Sequence, residues 1–157
     1  MANAVRIIGG DLRGRILHFP DLKGLRPTPD RVRETLFNWL GQRLDDLVCL
    51  DLFAGSAALA FEAVSRGATR VDAVDLNTKV CASAEENCRK TGIENMTVTC
   101  SEATHFLRQN KQSYDVVFLD PPFAENSLME DVLEILPRHL SNGCRIYLES
   151  AQSLEVP

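Results

Sequence analysis

The fold is decided by residues 47–60, LVCLDLFAGSAALA, where an apolar run meets a turn of small residues. The run from Leu47 to Phe53 is interrupted only by Asp51, which is typical of a strand that is covered on both faces. The small residues after it let a ligand approach the backbone, and a helix that begins there supplies unpaired N–H donors. The stretch therefore predicts a strand, a tight turn and a helix, with a ligand site at the turn.

The same alternation continues along the rest of the chain. Short apolar runs are followed by longer helical stretches, a pattern that indicates right-handed crossovers and a parallel sheet. Ligands of such a doubly wound α/β sheet bind outside the carboxyl ends of its strands. Beyond the first strand we predict strands at 70–75, 96–100, 114–119 and 144–149, and helices at 57–66, 78–91, 102–109 and 127–140.

Composition places the chain among ordinary globular proteins. It has 157 residues, of which 45% are hydrophobic and 25% are charged, and this argues against a disordered or fibrous protein. The longest uncharged stretch, Leu52 to Phe61, is far shorter than the ~20 residues of a membrane helix. The N-terminus lacks the apolar run of a secretory signal, so we expect a cytoplasmic protein without a membrane partner.

The five cysteines are odd in number and form no C-x-x-C pair, and the three histidines do not lie near them at metal-ligand spacing. This pattern argues against a disulfide framework and against a metal site, and it favours reduced, mostly buried thiols.

Charge divides the chain into two parts. Residues 1–43 carry eight Lys/Arg and four Asp/Glu, a net charge of +4, whereas the remaining residues carry nine bases and eighteen acids, a net charge of −9. A basic segment on an acidic body suggests a polyanionic partner, although arginines in ordinary surface ion pairs would give the same count. The candidate contacts for such a polyanion are Arg6, Arg13, Arg15, Arg26, Arg31 and Arg33.

The N-terminal segment also differs in pattern from the rest. Residues 5–8 and 15–19 predict a β-hairpin, and Thr28 followed by Pro29 predicts the start of a helix. Val32, Leu36, Trp39 and Leu40 share one face of that helix, which we expect to pack on the sheet. We therefore divide the chain into a basic hairpin-and-helix extension, residues 1–45, and a ligand-binding α/β domain, residues 46–157.

Two acidic residues follow strands near the small-residue turn. Asp75 ends the second strand 20 residues after Gly55, a position from which a carboxylate accepts hydrogen bonds from ribose hydroxyls. Asp75 could equally cap the helix that starts at Thr78, but together with the turn the ribose interpretation is favoured. Glu102 after the third strand would contact a nucleobase amino group or cap a helix. A full dinucleotide fingerprint fails because Ala57 and Ala60 stand where glycines are needed.

The most specific motif is Asp120-Pro121-Pro122-Phe123, which follows the fourth strand. The two prolines stiffen the turn and remove N–H donors, which leaves carbonyl oxygens that only accept. Asp120 adds another acceptor, and Phe123 offers a flat face on which a base can stack. Such a site holds an exocyclic amino group by both of its protons. The alternative is a rigid turn whose aspartate caps the next helix.

Together these motifs resemble an S-adenosylmethionine (SAM)-dependent amino methyltransferase with a Rossmann-like fold. The N-terminal strings RIIGG at 6–10, RGR at 13–15 and GLRPTPDRVRETLFN at 24–38 closely resemble the RsmD family, which methylates guanine N2 in 16S ribosomal RNA of the small subunit. The resemblance runs from about Val5 to Ser150.

The resemblance implies a role for each matching position. Asp51, Phe53, Ala54, Gly55 and Ser56 would line the methionine part of SAM, Asp75 and Asn77 the ribose, and Glu102 and Ala103 the adenine, while Asp120, Pro121, Pro122 and Phe123 would form the catalytic pocket. Proteins of this family usually carry glycine where Ala57 and Ala60 stand. They also continue into a final β-hairpin that is absent from this sequence.

Three functions remain open at this point. The first is guanine-N2 methylation, with 16S ribosomal RNA or the small subunit as the partner of a monomeric enzyme. The second keeps SAM but acts on a DNA adenine or cytosine, or on a protein glutamine. The third, suggested by Ala57 and Ala60, is an RNA-binding module that has lost catalysis.

Overall fold

The computed structural model describes residues 3–121 and 126–148, which form a two-stranded hairpin and a five-stranded sheet with helices on both faces. The strands are β1 Asn3–Arg6, β2 Ile16–Phe19, β3 Val48–Asp51, β4 Arg70–Asp75, β5 Met96–Cys100, β6 Tyr114–Leu119 and β7 Leu140–Leu148. The helices are α1 Asp30–Leu40, α2 Ala58–Ser65, α3 Thr78–Thr91, α4 Ala103–Gln109 and α5 Asn126–Ile135, followed by a 3₁₀ turn, Leu136–His139.

The five-stranded sheet has the order β5-β4-β3-β6-β7, and every neighbouring pair is parallel. The central strand β3 pairs with β4 on one side and with β6 on the other, so the direction of winding reverses at β3. Ligands of open α/β sheets bind at this point, beyond the carboxyl ends of the strands. The predicted doubly wound parallel sheet is confirmed.

Two hydrophobic clusters lie on the two faces of the sheet. Along β6, Val116 and Phe118 belong to one cluster, whereas Val117 and Leu119 belong to the other. This alternation follows from the two-residue period of a strand, and it explains why the strands are apolar throughout. All four of these side chains are 0% exposed.

The predicted elements agree with the structure except at some ends. The strands at 70–75, 96–100 and 114–119 have the predicted bounds. The helix predicted at 127–140 ends at Ile135, because Pro137 enters a 3₁₀ turn, and β7 begins earlier than expected, at Leu140. The end of the predicted strand at Glu149 and the question of a final hairpin lie outside the described residues.

The N-terminal hairpin is confirmed and packs on the five-stranded sheet and α3. Val5 pairs with Leu17 across the antiparallel strands, and both side chains are buried in the cluster that contains Phe118. The carbonyl oxygen of His18 accepts hydrogen bonds from Ser83 Oγ at 2.9 Å and from Asn87 Nδ2 at 2.8 Å, both on α3. The extension and the sheet thus share one hydrophobic core.

The segment from Ile8 to Leu12 lies directly on the end of α2. Leu12 N donates to Ser65 Oγ at 2.9 Å, and Ser65 Oγ donates to the Gly9 carbonyl at 2.5 Å. A Cβ on Gly10 would lie 2.0 Å from the Ser65 carbonyl oxygen, and Gly10 has a φ of +81°. Only glycine allows this close approach, so the GG pair of the N-terminal motif has a packing role.

Helix α1 begins at Asp30 and presents a different face from the one predicted. Pro29 occupies the N-cap position without a side-chain capping bond, so the expected Thr28 cap is wrong. The buried residues are Arg33, Leu36, Phe37 and Leu40, whereas Trp39 is 70% exposed. The expectation that Val32 and Trp39 pack on the sheet is therefore also wrong.

Three further observations concern residues 3–121 and 126–148 only. No helix there combines the length and the apolar character needed to cross a bilayer. Those ranges also hold no cluster of three or more His, Cys, Asp or Glu side chains suited to a metal ion. The five cysteines are free thiols, of which Cys49 and Cys81 are buried and Cys100 is exposed.

Candidate cofactor and catalytic site

Three aspartates gather at the carboxyl ends of neighbouring strands. Asp51 ends β3, Asp75 ends β4, and Asp120 directly follows β6. Because these strands are adjacent in the sheet, the three carboxyl groups are close enough for Asp75 and Asp120 to act electrostatically on Asp51. The sequence predicted that these residues share one edge, and the order of the strands places them there.

Asp51 is the most unusual of the three. It is 1% exposed, and among the described residues no donor forms a hydrogen bond of normal geometry with either of its carboxylate oxygens. Burial, followed by the charges of Asp120 and Asp75, raises the pKa of Asp51 to about 8. The nearby backbone N–H of Ala60, although it forms no hydrogen bond of normal geometry with the carboxylate, opposes this rise only partly. A buried carboxyl group without a partner fits the binding of a cation, which would stabilise its ionised form.

The turn after β3 consists of small residues and is held by backbone hydrogen bonds. Ala54 N donates to the Val74 carbonyl at 2.8 Å, and Ala57 N donates to the Ala54 carbonyl at 2.7 Å. Gly55 and Ala57 have φ values of +55° and +63°. Alanine is disfavoured in this left-handed region, so the glycine usual at position 57 in the resembled family has a conformational reason here.

The linker before α1 reaches the same turn. A Cβ on Gly55 would lie 3.3 Å from Leu25 Cδ1, which shows that the half-buried Leu25 packs over this glycine. Phe53, Ala54 and Gly55 are partly exposed beside it, and Ser56 is buried. The linker therefore forms one wall of the candidate cofactor site.

Asp75 does not cap α3. Its Oδ2 accepts a hydrogen bond from Gly55 N at 2.9 Å, and its Oδ1 accepts one from Asn77 N at 2.9 Å. The cap is Asn77, whose Oδ1 accepts from Lys79 N and Val80 N. Asp75 is half-buried, so it joins the turn after β3 to the end of β4 and keeps part of its surface at the edge of the site.

The region beyond β5 is less enclosed. Glu102 is exposed and occupies the N-cap position of α4 without bonding a helix N–H, and its Oε1 accepts from Thr104 Oγ1 at 2.5 Å. Ala103 is 4% exposed. Leu76, which our sequence reasoning missed, is 70% exposed beside Asp75. A large apolar residue between a strand-end acid and a helix cap is the signal that would have identified it.

The predicted catalytic pocket is only partly within the described chain. Asp120 and Pro121 are half-buried at the end of β6, next to the edge that carries Asp51 and Asp75. Pro122 and Phe123 lie outside the described residues. The acceptors that can be placed are therefore the Asp120 carboxylate and the Pro121 carbonyl.

These residues fit SAM, which carries an ammonium group, a sulfonium group, a ribose and an adenine. The buried carboxyl of Asp51 is suited to the cationic part, the turn at 54–57 gives close access to the backbone, and Asp75 suits the ribose hydroxyls. This fit rests on one observation: the buried Asp51 carboxylate has no hydrogen-bond donor of normal geometry among the described residues.

The predicted RNA-contacting arginines fall into two groups. Arg6, Arg13, Arg26 and Arg31 are exposed, and so is Arg15, although its Nη2 donates to the Lys90 carbonyl at the end of α3 at 2.9 Å. Arg33 is 1% exposed, so its assignment to RNA contact is wrong. Its guanidinium donates instead to the carbonyls of Thr28 and Arg6, at 3.0 and 2.9 Å.

Glu62 on α2 is a buried hub that sequence reasoning missed. It is 0% exposed and accepts from Ile8 N at 2.9 Å, Gly9 N at 3.0 Å, Arg33 Nη1 at 3.2 Å and Arg66 Nε at 2.9 Å. Helix α2, which begins at the turn after β3, is thereby fixed to the hairpin and to α1. An acidic residue inside an otherwise apolar helix was the available signal.

With this sheet and this edge of aspartates, the molecule has the Rossmann-like methyltransferase fold. A solved structure described as a putative methyltransferase from Escherichia coli matches it with a TM-score of 0.90 and 39% identity, over 99% of this chain and 86% of that chain. The family profile described as Conserved hypothetical protein 95 matches residues 5–157, and the chain belongs to this family.

Curated relatives agree with this assignment. Ribosomal RNA small subunit methyltransferase D of Escherichia coli (strain K12) is 44% identical over 148 residues, which cover 93% of this chain and 74% of that protein. The protein of the same name from Haemophilus influenzae is 43% identical over 152 residues, which cover 93% of this chain and 78% of that protein. The resemblance that we drew from the N-terminal motifs is confirmed.

Proposed function

We propose that the protein transfers a methyl group from SAM to the exocyclic N2 amino group of a guanine in 16S ribosomal RNA of the small subunit. The observation that carries this proposal is the convergence of Asp51, Asp75 and Asp120 at one sheet edge, with Asp51 buried and lacking a hydrogen-bond partner among the described residues. The names of the relatives support the RNA substrate. Guanine N2 rests on the resemblance and on the acceptors at Asp120 and Pro121.

Binding of the cofactor would be divided among three elements. Asp51 would pair with a cationic group, Asp75 would accept from the ribose, and the N–H groups at the start of α2 would contribute their positive dipole. The cofactor supplies a methyl group on a positively charged sulfur, which is the electrophile of the reaction. Exposed Leu76 would cover an apolar part of the ligand beside the ribose.

Asp120 and Pro121 would hold the amino group of the target base. Guanine N2 is a weak nucleophile because its lone pair is delocalised into the ring. An N–H that donates to the Asp120 carboxylate and another that donates to the Pro121 carbonyl would favour a more pyramidal nitrogen, with its lone pair aimed at the methyl carbon. Positioning of this kind supplies much of the rate in a direct displacement.

The balance of the reaction is simple. SAM would supply the methyl group: the new bond to N2 would form as the bond from carbon to sulfur breaks, and the bonding electrons of that bond would stay on sulfur. The nitrogen then loses one proton, for which Asp120 is the acceptor within reach. No covalent intermediate with the protein is needed.

The decisive experiment is SAM-dependent labelling of unmodified small ribosomal subunits, followed by nuclease mapping of the label. Naked 16S RNA, duplex DNA and a glutamine-containing protein are presented in parallel, with the Asp120→Ala variant as the matched control. Label on a guanine of the small subunit, absent from the control, supports the proposal. Label on DNA or on protein would establish the second enzyme function instead.

The third function is tested by calorimetry. An RNA-binding module that has lost catalysis would bind RNA but no SAM, even at millimolar cofactor. Saturable SAM binding that Asp51→Asn weakens would contradict that interpretation.

A further inference from the structure

A groove lies between α1 and β7, the edge strand of the described sheet, and its lining does not include the turn after β3. It has a cavity volume of about 350 Å³, within the range of small-ligand sites, roughly 300–1,000 Å³. Its lining consists of Arg31, Val32, Thr35, Leu36, Trp39 and Tyr147. None of these residues was assigned to cofactor binding or to catalysis above.

The exposure of Trp39 is the feature that needs an explanation. Trp39 is the single tryptophan of the chain, and it is 70% exposed on a helix whose opposite face is buried. Val32, one of four large apolar side chains that are exposed among the described residues, lies two turns earlier on the same face. An exposed aromatic ring in a concave apolar surface indicates a binding site.

The charge of the groove favours a nucleic acid as its occupant. Among the described residues of the lining, Arg31 is the only charged one, so this part of the groove is positive although residues 44–157 carry a net charge of −9. Aromatic rings on which bases stack, beside a guanidinium for the phosphate, are the usual combination at sites for single-stranded nucleic acid. An apolar peptide strand would use the apolar surface but would offer the Arg31 guanidinium no anionic partner.

The groove also lies close to the sheet edge that carries Asp120. Tyr147 is in register with Phe118 on β6, two residues before Asp120. At about 3.3 Å per strand residue, the level of Tyr147 is within roughly 7 Å of the level of the catalytic carboxylate along the strand direction. A nucleotide close to the target base in the RNA chain can therefore reach the groove.

We propose that this groove receives an unpaired nucleotide of the RNA substrate, with its base stacked on Trp39 and its phosphate next to Arg31. The proposal rests on the proposed function, because it names a second contact for the same RNA. It assigns Trp39 to substrate binding and not to the methyl transfer, so SAM affinity does not depend on it.

The test uses the fluorescence of Trp39, which reports on this groove alone because the chain has no other tryptophan. Unmodified 16S RNA is titrated into the full chain, and binding is followed in parallel by filter retention. We expect Trp39 emission to be quenched in proportion to the RNA bound. We expect Trp39→Ala to weaken RNA binding by about 5- to 150-fold, the range for the loss of one stacked base, and Trp39→Phe to keep most of the affinity.

Each alternative result has a separate meaning. RNA that binds without any change in Trp39 emission, or that binds Trp39→Ala as tightly as the wild type, overturns the groove proposal and leaves the proposed function standing. Quenching that depends on protein concentration without RNA, together with a dimer that Trp39→Ala abolishes, overturns it in favour of self-association. If the wild type binds SAM but no small-subunit RNA, the groove proposal and the RNA substrate fall together.

Discussion

Arg33 Nη1 lies 3.2 Å from Glu62 Oε1 in a position where the side chains are 1% and 0% exposed. The pair joins α1 to α2, and Arg33 also pairs with Asp30 while Glu62 also pairs with Arg66. Two guanidinium groups therefore share one fully buried carboxylate. Through this carboxylate the N-terminal extension is anchored to α2, the helix that follows the turn after β3.

Glu62→Gln should destabilise the fold strongly. The amide keeps the shape of the side chain but leaves Arg33 and Arg66 without their buried counter-charge, a loss that typically costs about 3–5 kcal/mol. Urea unfolding of the variant and the wild type measures the difference. Glu34→Gln, at an exposed position on α1, is the control and should change stability by no more than about 0.5 kcal/mol. Equal stability of Glu62→Gln and wild type would contradict the role of the hub.

SAM affinity should rise as the pH is raised from about 6 to about 8. The raised pKa of Asp51 keeps this group protonated at neutral pH in the free protein, whereas a cationic ligand favours the carboxylate, so binding releases a proton below that pKa. Calorimetry in buffers of different ionisation enthalpy counts the protons released. In Asp51→Asn we expect weaker binding and no such release. A wild-type affinity that stays constant between about pH 6 and about pH 8 would show that Asp51 does not titrate with the cofactor.

Variants at Asp75 and Asn77 should distinguish a loss of cofactor binding from a loss of helix capping. Asp75→Ala removes an acceptor from the site and also frees Gly55 N, so we expect SAM affinity to fall by roughly tenfold to more than a hundredfold. Asn77→Ala removes the cap of α3 and should cost about 0.5–2 kcal/mol of stability, with a smaller effect on SAM. Thermal unfolding and SAM titration of each variant measure both quantities. If the two variants exchanged these effects, the assignment of both residues would be incorrect.

Asp120→Ala should reduce turnover and leave SAM affinity within a few-fold of the wild type. The loss of one acceptor that acts in the transition state costs on the order of 10²–10³ in rate, by analogy with oxyanion-hole deletions. Single-turnover labelling at saturating SAM, with SAM binding measured on the same sample, provides the comparison. Wild-type turnover would remove Asp120 from the mechanism, and a large loss of SAM binding in a folded variant would move it to the cofactor site.

The exposed arginines of the extension should set the salt dependence of RNA binding. If Arg6, Arg13 and Arg26 each neutralise one phosphate of an unpaired strand, the slope of log affinity against log salt should become shallower by about 2 in the triple alanine variant. Arg89, which pairs with Glu86 on the acidic part of the chain, supplies the control Arg89→Ala, whose slope should match the wild type. A slope unchanged in the triple variant would show that the RNA binds elsewhere.

The strands of the sheet could be predicted well because each of them is a short apolar run that is recognisable from its own residues. The run Tyr114–Leu119 is apolar at nearly every position, and such a run has few alternatives to a strand covered on both faces. The placement of Asp51, Asp75 and Asp120 at one edge then followed from the parallel topology alone.

The orientation of α1 could not be predicted in the same way. The helical period alone favoured a buried face that includes Trp39, yet the structure buries Arg33 and exposes Trp39. The buried partner of this guanidinium, Glu62, lies 29 residues further along the chain, and a local pattern contains no information about such a partner. The isolation of the Asp51 carboxyl is likewise a property of its whole surroundings and not of the residues next to it.

The contact between Gly10 and Ser65 has a consequence for the choice of substrate. Because the Ile8–Leu12 segment is hydrogen-bonded to the end of α2, the distance between the hairpin and the aspartates at the sheet edge is fixed. Under the proposed function, an RNA has to present a phosphate and a target amino group at that same separation to engage both. The protein would then work as a caliper, which selects its RNA by the distance between two points on a folded surface rather than by the order of its bases.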